Sequence, residues 1–243
     1  MPADKYVVNH TSASQRLHEE LGNLIAATKP GDRLPTEPKL AKELGVSRAT
    51  LREAMRTFET QGMIRRRQGS GTFVTHPTQI IESGLEVLES IESIAERIGL
   101  EVQMGRLTVE QRVPTAVEAR ALQLDKGCQV LSLTRVMLAE GRPVAYLIDI
   151  IPDCYLKEAD LDENFTGSVL DLLKTSLMLQ SSRCEINAVT ATSEAAKALG
   201  IQRGDVLLRF EAILYSEAGE IVDYSFSYFL PGVFRFHVVR KVG

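Results

Sequence analysis

The sequence predicts an α+β protein in two parts: a small winged helix-turn-helix domain, and a larger α+β domain built on an antiparallel sheet. Two short helical patterns, joined at Gly45 and followed by a basic, Gly-rich hairpin, predict the first part. A sequence repeat at an offset of 77 residues predicts the second. We place the first domain at residues 1–76, a connecting segment at 77–99 and the second domain at 100–243.

Basic residues are concentrated in one part of the chain. The whole chain has 28 Lys and Arg against 32 Asp and Glu. Residues 29–76, however, contain ten basic and five acidic residues, which leaves 18 basic and 27 acidic residues elsewhere. Because phosphate contacts need only one basic face, this concentration favours nucleic-acid binding by the first domain. The alternative is a solvated basic surface on an ordinary domain.

The composition is typical of a globular protein, with 243 residues of which 44% are apolar and 25% charged. No apolar run approaches the roughly 20 residues of a membrane span, and the N-terminus lacks a signal-peptide pattern. Cys128, Cys154 and Cys184 are widely spaced and the four histidines are scattered, so neither a metal site nor a cofactor is expected. We expect a reduced, cytoplasmic protein with no membrane partner.

Three helices are expected before the hairpin. The first covers about residues 12–27, where leucine and isoleucine recur at helical spacing. Thr36 is the expected N-cap of a short second helix, and Gly45 supplies the turn after it. Ser47 is the expected cap of a third helix over residues 48–61.

The third helix carries the side chains expected to read DNA. Arg48, Thr50 and Arg52 lie on its exposed side, and the two arginines are four residues apart, so they point the same way. Residues near the N-terminus of a recognition helix reach base edges, and the arginine fork matches guanine O6 and N7. The pattern therefore predicts that this helix lies in a DNA groove.

The hairpin after the third helix has the composition of a wing. Residues 63–67 and 72–75 read as two strands around a Gly-rich tip. Gly69 and Gly71 let the backbone approach a groove wall closely. Following two helices and three consecutive arginines, this tip is expected to contact DNA.

These motifs resemble the winged helix-turn-helix of GntR-type transcriptional regulators. The resemblance covers about residues 12–76 and is carried by the segments 33–37 (RLPTE), 44–54 (LGVSRATLREA) and 69–74 (GSGTFV). It implies that Ser47, Arg48, Thr50 and Arg52 contact DNA and that the Gly69 tip enters a minor groove. The full expected DNA-binding set is Arg33, Lys39, Ser47, Arg48, Thr50, Arg52, Arg66, Gln68, Gly69, Ser70 and Gly71. The family usually has an arginine where this chain has Pro38. The contact made there is either lost or taken over by Lys39.

The connecting segment has an apolar pattern at helical spacing. Leu85, Leu88, Ile91, Ile94 and Ile98 predict a helix, or helical turns, that lead from the first domain to the second. An amphipathic linker packed against either domain is the alternative. The expected hinge lies near residues 76–83.

The larger domain repeats itself. The segment that begins AVEARAL at residue 116 aligns without a gap with the segment SEAAKAL at residue 193, and each continues through a Gly turn, a strand, a hairpin tip and a second strand. Matching pairs include Leu122 with Leu199 and Gly127 with Gly204. Two such units predict one antiparallel sheet with helices on one side.

Charged and polar residues lie on otherwise apolar strand faces. Arg135 falls among apolar residues in the strand 130–138, and Asp149 does so in the next strand. A hairpin turn over 139–143 would place Arg135 diagonal to Asp149. Because an unpaired buried charge is costly, the two form either a structural salt bridge or an anion- or hydroxyl-binding site. In the strand 221–229, a polar face of aspartate and serines is either solvated or lines a cleft.

From about residue 84 to 242 the chain resembles the effector domain of HutC-type GntR regulators, the UTRA domain, which has a chorismate-lyase-like fold. The motifs are 133–135 (LTR), 141–145 (GRPVA), 151–152 (IP), 168–170 (SVL) and 223–229 (DYSFSYF). The resemblance implies effector contacts by Arg135, Ser168 and Asp223. The full expected effector site is Arg135, Asp149, Ser168, Asp223, Ser225, Ser227 and Phe229.

Three positions depart from the sugar-phosphate-sensing members of this family. A second arginine is replaced by Met137, a glutamate by Leu147 and a tyrosine by Phe229. These changes imply a pocket with less positive charge and a more apolar lining. We therefore expect an effector other than a sugar phosphate.

Together the resemblances imply a DNA-binding transcriptional regulator, expected to be a repressor, whose operator affinity depends on a small-molecule effector. The expected partners are a double-stranded operator with inverted half-sites and a second copy of the chain. We expect the protein in the bacterial cytoplasm, and at the nucleoid when bound. The alternatives are a small-molecule enzyme of lyase-like fold with an added DNA-binding domain, or a ligand-independent DNA-binding protein. Enzyme activity is not expected, because the sequence has no nucleophile–base pair, no metal-ligand spacing and no paired carboxylates with an acid/base split.

Overall fold

The chain forms two compact units, Met1–Thr78 and Gln79–Gly243. The computed structural model describes residues 13–60, 63–67, 69–75, 81–161, 165 and 167–240. Within these ranges, no helix is long and apolar enough to cross a membrane. The helices and the antiparallel sheet confirm the predicted α+β class.

The first unit consists of three helices and a hairpin. Its elements are α1 (Ala13–Ala27), α2 (Glu37–Glu43), α3 (Arg48–Thr60), β1 (Ile64–Arg67) and β2 (Gly71–Val74). One apolar cluster joins all of them, and Leu21, Leu51 and Met55 are almost fully buried within it. The predicted order of helices, turn and hairpin is confirmed.

The ends of α2 and α3 follow from their capping residues. Gly45 has φ +63°, which only glycine adopts readily, and it turns the chain between the two helices. The Ser47 side chain accepts a hydrogen bond from the Thr50 amide at 3.0 Å, as an N-cap should. Thr36 occupies the N-cap position of α2, as predicted, although its hydroxyl makes no capping bond. The predicted end of α3, at residues 61 and 62, lies outside the described residues.

The second unit is built on a six-stranded antiparallel sheet in the order β4–β5–β6–β9–β8–β7. The strands are β4 (Val102–Arg112), β5 (Val130–Ala139), β6 (Arg142–Pro152), β7 (Leu179–Thr190), β8 (Val206–Ser216) and β9 (Ile221–Phe229). The helices are α4 (Ile91–Arg97), α5 (Ala116–Ala121), α6 (Val169–Ser176) and α7 (Ser193–Leu199), with a 3₁₀ turn at Glu158–Asp160. A separate parallel pair joins β3 (Ile81–Gly84) to β10 (Phe234–His237).

The sequence repeat is visible as two β–α–β–β units. The first is β4–α5–β5–β6, the second is β7–α7–β8–β9, and they meet where β6 pairs with β9. The leading strands β4 and β7 were not part of the predicted repeat. Both lie at the sheet edges and are largely exposed, so they lack the apolar alternation that identifies a half-buried strand.

Helices cover both faces of the sheet, so the prediction of helices on one side is wrong. On one face, Leu122, which follows α5, packs with Val130 and Ile150. Helix α7 lies on the same face, where its Glu194 accepts a hydrogen bond from the Tyr146 hydroxyl of β6. On the other face, α6 packs through Val169 against the central strands, and α4 lies beside it. The repeat contains only α5 and α7, so it could not reveal the second layer.

The segment 77–99 is not one helix. Its described part contains strand β3, an irregular stretch and the short helix α4. Ser90 ends the irregular stretch, because its hydroxyl accepts a hydrogen bond from the Ser93 amide at 3.1 Å and caps α4. Leu85 and Leu88 therefore lie outside the helix, and both are exposed.

Candidate nucleic-acid surface and ligand pocket

The N-terminal part of α3 presents the polar side chains predicted to read DNA. Ser47, Arg48, Thr50 and Arg52 are all exposed. The hydroxyl oxygens of Ser47 and Thr50 lie 2.8 Å apart, so the two side chains are held together at the start of the helix. Arg48 makes no ion pair with the described part of the chain. This end of α3 is therefore available to a polyanion.

One carboxylate connects the two arginines that follow. Glu37 Oε2, at the start of α2, accepts a hydrogen bond from Arg52 Nε at 2.6 Å. Its other oxygen lies 3.6 Å from a terminal nitrogen of Arg66 in β1. The Arg66 amide donates in turn to Glu59 at 3.2 Å. Glu37 was not among the predicted site residues, although it stands in the RLPTE motif.

The tip of the hairpin depends on two glycines with positive φ. Gly69 has φ +76° and Gly71 has φ +112°. The Arg33 side chain lies against Gly71 so closely that a β-carbon there would collide with its guanidinium group. Arg33 and Ser70 are exposed beside the tip. Gln68, the remaining predicted residue of the hairpin, lies outside the described residues.

Lys39 stands on α2, after the exposed Pro38. Its ammonium nitrogen lies 3.8 Å from Glu43 Oε1, one turn along the helix. Both side chains are well exposed, so the pair contributes little to stability. Compensation for Pro38 by Lys39 stays a prediction.

A cavity of about 790 Å³ lies in the second unit, on the sheet face that α4 and α6 cover. Its wall also includes residues 83–90 and the aromatic side chains of β10. All seven predicted effector-site residues line it: Arg135, Asp149, Ser168, Asp223, Ser225, Ser227 and Phe229. The sheet brings them together from β5, β6 and β9, and α6 contributes the serine that precedes it.

The predicted proximity of Arg135 and Asp149 is confirmed. Arg135 pairs with Leu147 across the strands, and its NH2 group donates to Asp149 Oδ2 at 2.6 Å. The two residues are only 4% and 8% exposed. The pair alone does not decide between a structural salt bridge and a binding site, but the Nε of Arg135 is buried without a partner within the described ranges.

Asp223 and Glu92 each have a buried oxygen that, like Arg135 Nε, lacks a hydrogen-bond partner in the described part of the chain. Neither Asp223 Oδ1 nor Glu92 Oε1 has a hydrogen-bond partner among the described residues. A buried polar atom without a partner costs about 1–3 kcal/mol, so native proteins rarely leave several close together. Three such atoms, counting Arg135 Nε, belong to residues that line one cavity. Such atoms are the expected mark of a site that a ligand completes.

The carboxyl groups of the cavity have altered proton affinities. Burial, and then the negative charge of Asp149, raise the pKa of Asp223 well above its ordinary value. Burial likewise raises the pKa of Glu92. The carboxyl groups of Asp149 and Asp223 therefore interact, a pairing that the sequence did not reveal. They lie on adjacent strands, and only the register of β6 with β9 brings them together.

Ser168 and Ser90 tie the two helices above the cavity. Ser168 caps α6 by accepting from the Asp171 amide at 3.0 Å. The Asp171 carboxylate accepts a hydrogen bond from the Ser90 hydroxyl at 2.6 Å, so the caps of α4 and α6 share one residue. Burial would raise the pKa of Asp171, but the hydrogen bonds from Ser90 and Ser168 outweigh it and lower the pKa. These bonds hold the start of α4, and hence Glu92, at the cavity wall.

The opposite wall is aromatic. Phe210 and Phe236 have ring centroids 4.4 Å apart, and Phe229 lies 5.1 Å and 4.9 Å from them. All three line the cavity, as does Leu147. Met137 is fully buried in the core and is not part of the lining, so only two of the three noted departures bear on the cavity directly.

Both units match known protein families. Residues 97–235 match the family model of the UTRA domain, and residues 13–74 match that of the bacterial regulatory proteins of the gntR family. The HTH-type transcriptional repressor NagR of Bacillus subtilis (strain 168) is 29% identical over 204 residues, which are 81% of either chain. The histidine utilization repressor of Klebsiella aerogenes is 27% identical over 211 residues, 85% of this chain and 83% of its own.

Solved structures share the fold. PhnF from Mycobacterium smegmatis superposes with a TM-score of 0.65 at 21% identity, over 93% of this chain and 100% of that one. The separate effector domain of the same protein gives a TM-score of 0.61 over 67% of this chain. At these identities the likeness concerns the fold alone.

Proposed function

Because this chain belongs to the GntR family of bacterial regulators, in its HutC-type form with a UTRA domain, we propose that it is a transcriptional repressor released from its operator by a small molecule. One observation carries the proposal: the cavity of the UTRA domain gathers three buried polar atoms that lack a partner in the described chain. In a protein that also carries an exposed recognition helix, such a cavity is the expected seat of an effector.

The first unit supplies the DNA contacts in this proposal. Arg48 and Arg52 read base edges in the major groove, where an arginine fork matches guanine. Ser47, Thr50, Lys39 and Arg66 contact the backbone, and the hairpin tip, with Arg33 beside it, enters the adjacent minor groove. The exposure of these side chains and the positive φ of Gly69 support this assignment.

We further propose that two copies act together in the bacterial cytoplasm. A homodimer would present two recognition helices to inverted half-sites about one helical turn apart. Ligand binding in the UTRA domain would then change the fit of the two winged domains to that spacing. The coupling free energy is limited by the difference in ligand affinity between the DNA-bound and free states.

Selection from a random duplex library, followed by binding measurements at moderate salt, tests the proposal. We expect enrichment of an inverted repeat by the wild type and loss of that enrichment in the Arg48→Ala/Arg52→Ala double variant. A matched control is Arg183→Ala, which removes an exposed arginine of β7. The proposal fails if the wild type enriches no sequence.

The ligand-independent alternative makes a different prediction for the same operator. It predicts equal DNA affinity with and without any compound that binds the cavity. It also leaves the unpaired atoms of Asp223 and Glu92 without a role. The enzyme alternative gains little from the paired carboxylates, because Asp149 is already engaged by Arg135. Relatives of this family are named as repressors.

A further inference from the structure

We propose that the effector is a small organic cation, whose ammonium group binds the unpaired carboxyl oxygens of Asp223 and Glu92 in the cavity. This inference rests on the proposed function, since it concerns the chemistry of the same cavity. The alternative is an anionic effector that carries a phosphate or carboxylate group. The distribution of charge in the cavity argues against it.

The cavity wall is acidic before any pairing is considered. It carries five carboxyl groups but only two cationic side chains, Arg135 and Lys174. Lys174 lies on α6, 3.5 Å from Asp171. Glu89 binds Arg97 at 2.6 Å, and Glu86 accepts from the amide of Val239. Lys174 and Glu89 are thus each paired with an opposite charge of the protein, and Glu86 is hydrogen-bonded.

Two other carboxyl groups of the cavity wall have no cationic partner among the described residues. Arg135, the remaining cation, is engaged by Asp149 at 2.6 Å. Asp223 and Glu92 then remain, and neither forms an ion pair with the residues that the structure describes. Asp223 is only 5% exposed, so the charge that it carries when ionised is poorly screened by water. An anion would lie near these carboxyl groups. The guanidinium group of Arg135 could attract it, but that group is already bonded to Asp149.

The unpaired atoms match an ammonium group once the carboxyl groups that carry them are ionised. Asp223 Oδ1 and Glu92 Oε1 are acceptors, and an ammonium group offers up to three N–H donors. The single unpaired donor, Arg135 Nε, suits a hydroxyl or carbonyl oxygen elsewhere in the ligand. Phe210, Phe229 and Phe236 provide an apolar surface for its carbon skeleton, and aromatic faces also attract cations.

Proton release follows from the same geometry. The charged or titratable groups that line the cavity with Asp223 are Asp149 on β6, Arg135 on β5, Glu92 on α4, Lys174 on α6, Cys184 on β7, and Glu86 and Glu89 before α4. The adjacent strand β8 contributes only apolar side chains to the lining. Burial and Asp149 favour the protonated form of Asp223 in the absence of a ligand. A bound cation favours the ionised form, so binding drives a proton from Asp223 into solvent. Affinity for the cation therefore rises with pH until Asp223 is ionised in the free protein.

The first test compares matched probes on the full-length protein by thermal shift and isothermal titration calorimetry. Each ammonium compound is paired with an anion of similar size: phenethylamine with hydrocinnamate, cadaverine with glutarate, and glucosamine with glucose phosphate. Inorganic phosphate is the final probe. We expect at least one ammonium compound to raise the melting temperature more than its partner. The inference is overturned if no ammonium compound binds, or if an anion binds more tightly.

The second test uses variants of the two carboxyl groups. Asp223→Asn and Glu92→Gln should each weaken ammonium binding by about tenfold or more, because each removes a charge-assisted hydrogen bond. Asp223→Asn should also abolish the release of a proton, measured in buffers of different ionisation enthalpy. The control is Glu185→Gln, an exposed carboxylate of β7 outside the cavity, and it should leave binding unchanged. Circular dichroism establishes that each variant is folded.

The outcomes for the ligand and for the function are separable. If the protein selects an operator and an anion releases it, the inference fails while the proposed function stands. If no operator is selected but an ammonium compound binds through Asp223, the proposed function fails while the chemistry of the cavity holds. Unchanged binding in both Asp223→Asn and Glu92→Gln contradicts the inference, whatever the wild type binds.

Discussion

Glu37 holds Arg52 by a hydrogen bond of 2.6 Å between Oε2 and Nε, across the turn that separates α2 from α3. The bond uses the inner nitrogen of the guanidinium group. Its two terminal nitrogens have no protein partner within the described ranges, so the fork that would bind guanine is left open. Because Glu37 also approaches Arg66 of the hairpin, one carboxylate positions side chains from two elements of the proposed DNA surface.

Arg52→Ala should relax sequence preference. If Arg52 contacts a guanine, its removal costs about 1–3 kcal/mol on the preferred operator and much less on operators changed at that base pair. Fluorescence anisotropy on the selected operator and its single-base variants measures the difference. Equal losses on all of these sequences would show that Arg52 contacts only the backbone.

Arg66→Ala should act differently, because a phosphate contact carries no sequence information. We expect affinity to fall by a similar factor on every duplex. The negative slope of log affinity against log salt concentration should become shallower by about 1. A salt titration on specific and random duplexes separates this result from that of Arg52→Ala. A change in base preference would contradict the assignment of Arg66 to phosphate.

Glu37→Gln should lower specificity while raising non-specific affinity. The substitution removes a negative charge near the DNA surface, which favours any duplex, and it weakens the bond that orients Arg52. The ratio of operator to random-duplex affinity is the measurement. Glu43→Gln, on the same helix and paired with Lys39, serves as the control and should change this ratio less. Equal ratios in the two variants would remove the positioning role of Glu37.

Local signals explain how much of the first unit was predictable. Gly45, the Ser47 cap and the Gly-rich tip are set by neighbours in sequence, and all three are found where the pattern placed them. The bond from Glu37 to Arg52 joins residues fifteen positions apart, so it depends on how α2 packs on α3. Thr36 is the N-cap residue that the sequence predicts, but the residue type alone does not ensure a side-chain capping bond.

The ligand pocket shows the same division. Strand alternation predicted the shared face of Arg135 and Asp149, and of Asp223 with its neighbouring serines. Glu92 was missed because it lies on a short helix whose start, at Ser90, was masked by a longer apolar pattern. Phe236 was missed because β10 pairs in parallel with β3, and that contact joins residues more than 150 positions apart. Only the folded chain brings these groups to one cavity.

Gly71→Ala should destabilise the first unit more than Gly69→Ala. At Gly71 the φ of +112° is strained for alanine, and the new β-carbon would meet the Arg33 guanidinium group. At Gly69 the φ of +76° is less unusual, and no atom lies within 4 Å of an added β-carbon. We expect losses of about 2–3 and about 1 kcal/mol respectively in urea unfolding. Equal losses would show that Arg33 moves aside freely and that alanine tolerates the two φ values alike.

A double-mutant cycle on Arg135 and Asp149 decides between the two roles left open by the sequence. Asp149→Leu alone leaves a buried guanidinium without its partner and should cost about 3–5 kcal/mol. Arg135→Met/Asp149→Leu should recover most of that stability, because it replaces the buried pair with apolar side chains. If the pair also serves the effector, the double variant is stable yet binds it weakly. Full effector binding by the double variant would leave the pair a structural role only.

Asp223 should make the protein less stable as pH rises. Its pKa is raised in the folded state, so above the unfolded pKa of about 3.8 the folded chain retains a proton that the unfolded chain loses. The folded state then binds more protons, and the free energy of unfolding falls with increasing pH until the folded pKa is passed. Below the unfolded pKa both states are protonated and the effect vanishes.

Asp223→Asn removes this dependence, so its melting temperature should exceed that of the wild type by an amount that grows from acid to neutral pH. Glu185→Gln, measured over the same range, should follow the wild type. A constant difference between Asp223→Asn and the wild type at every pH would mean that Asp223 does not hold its proton in the folded chain.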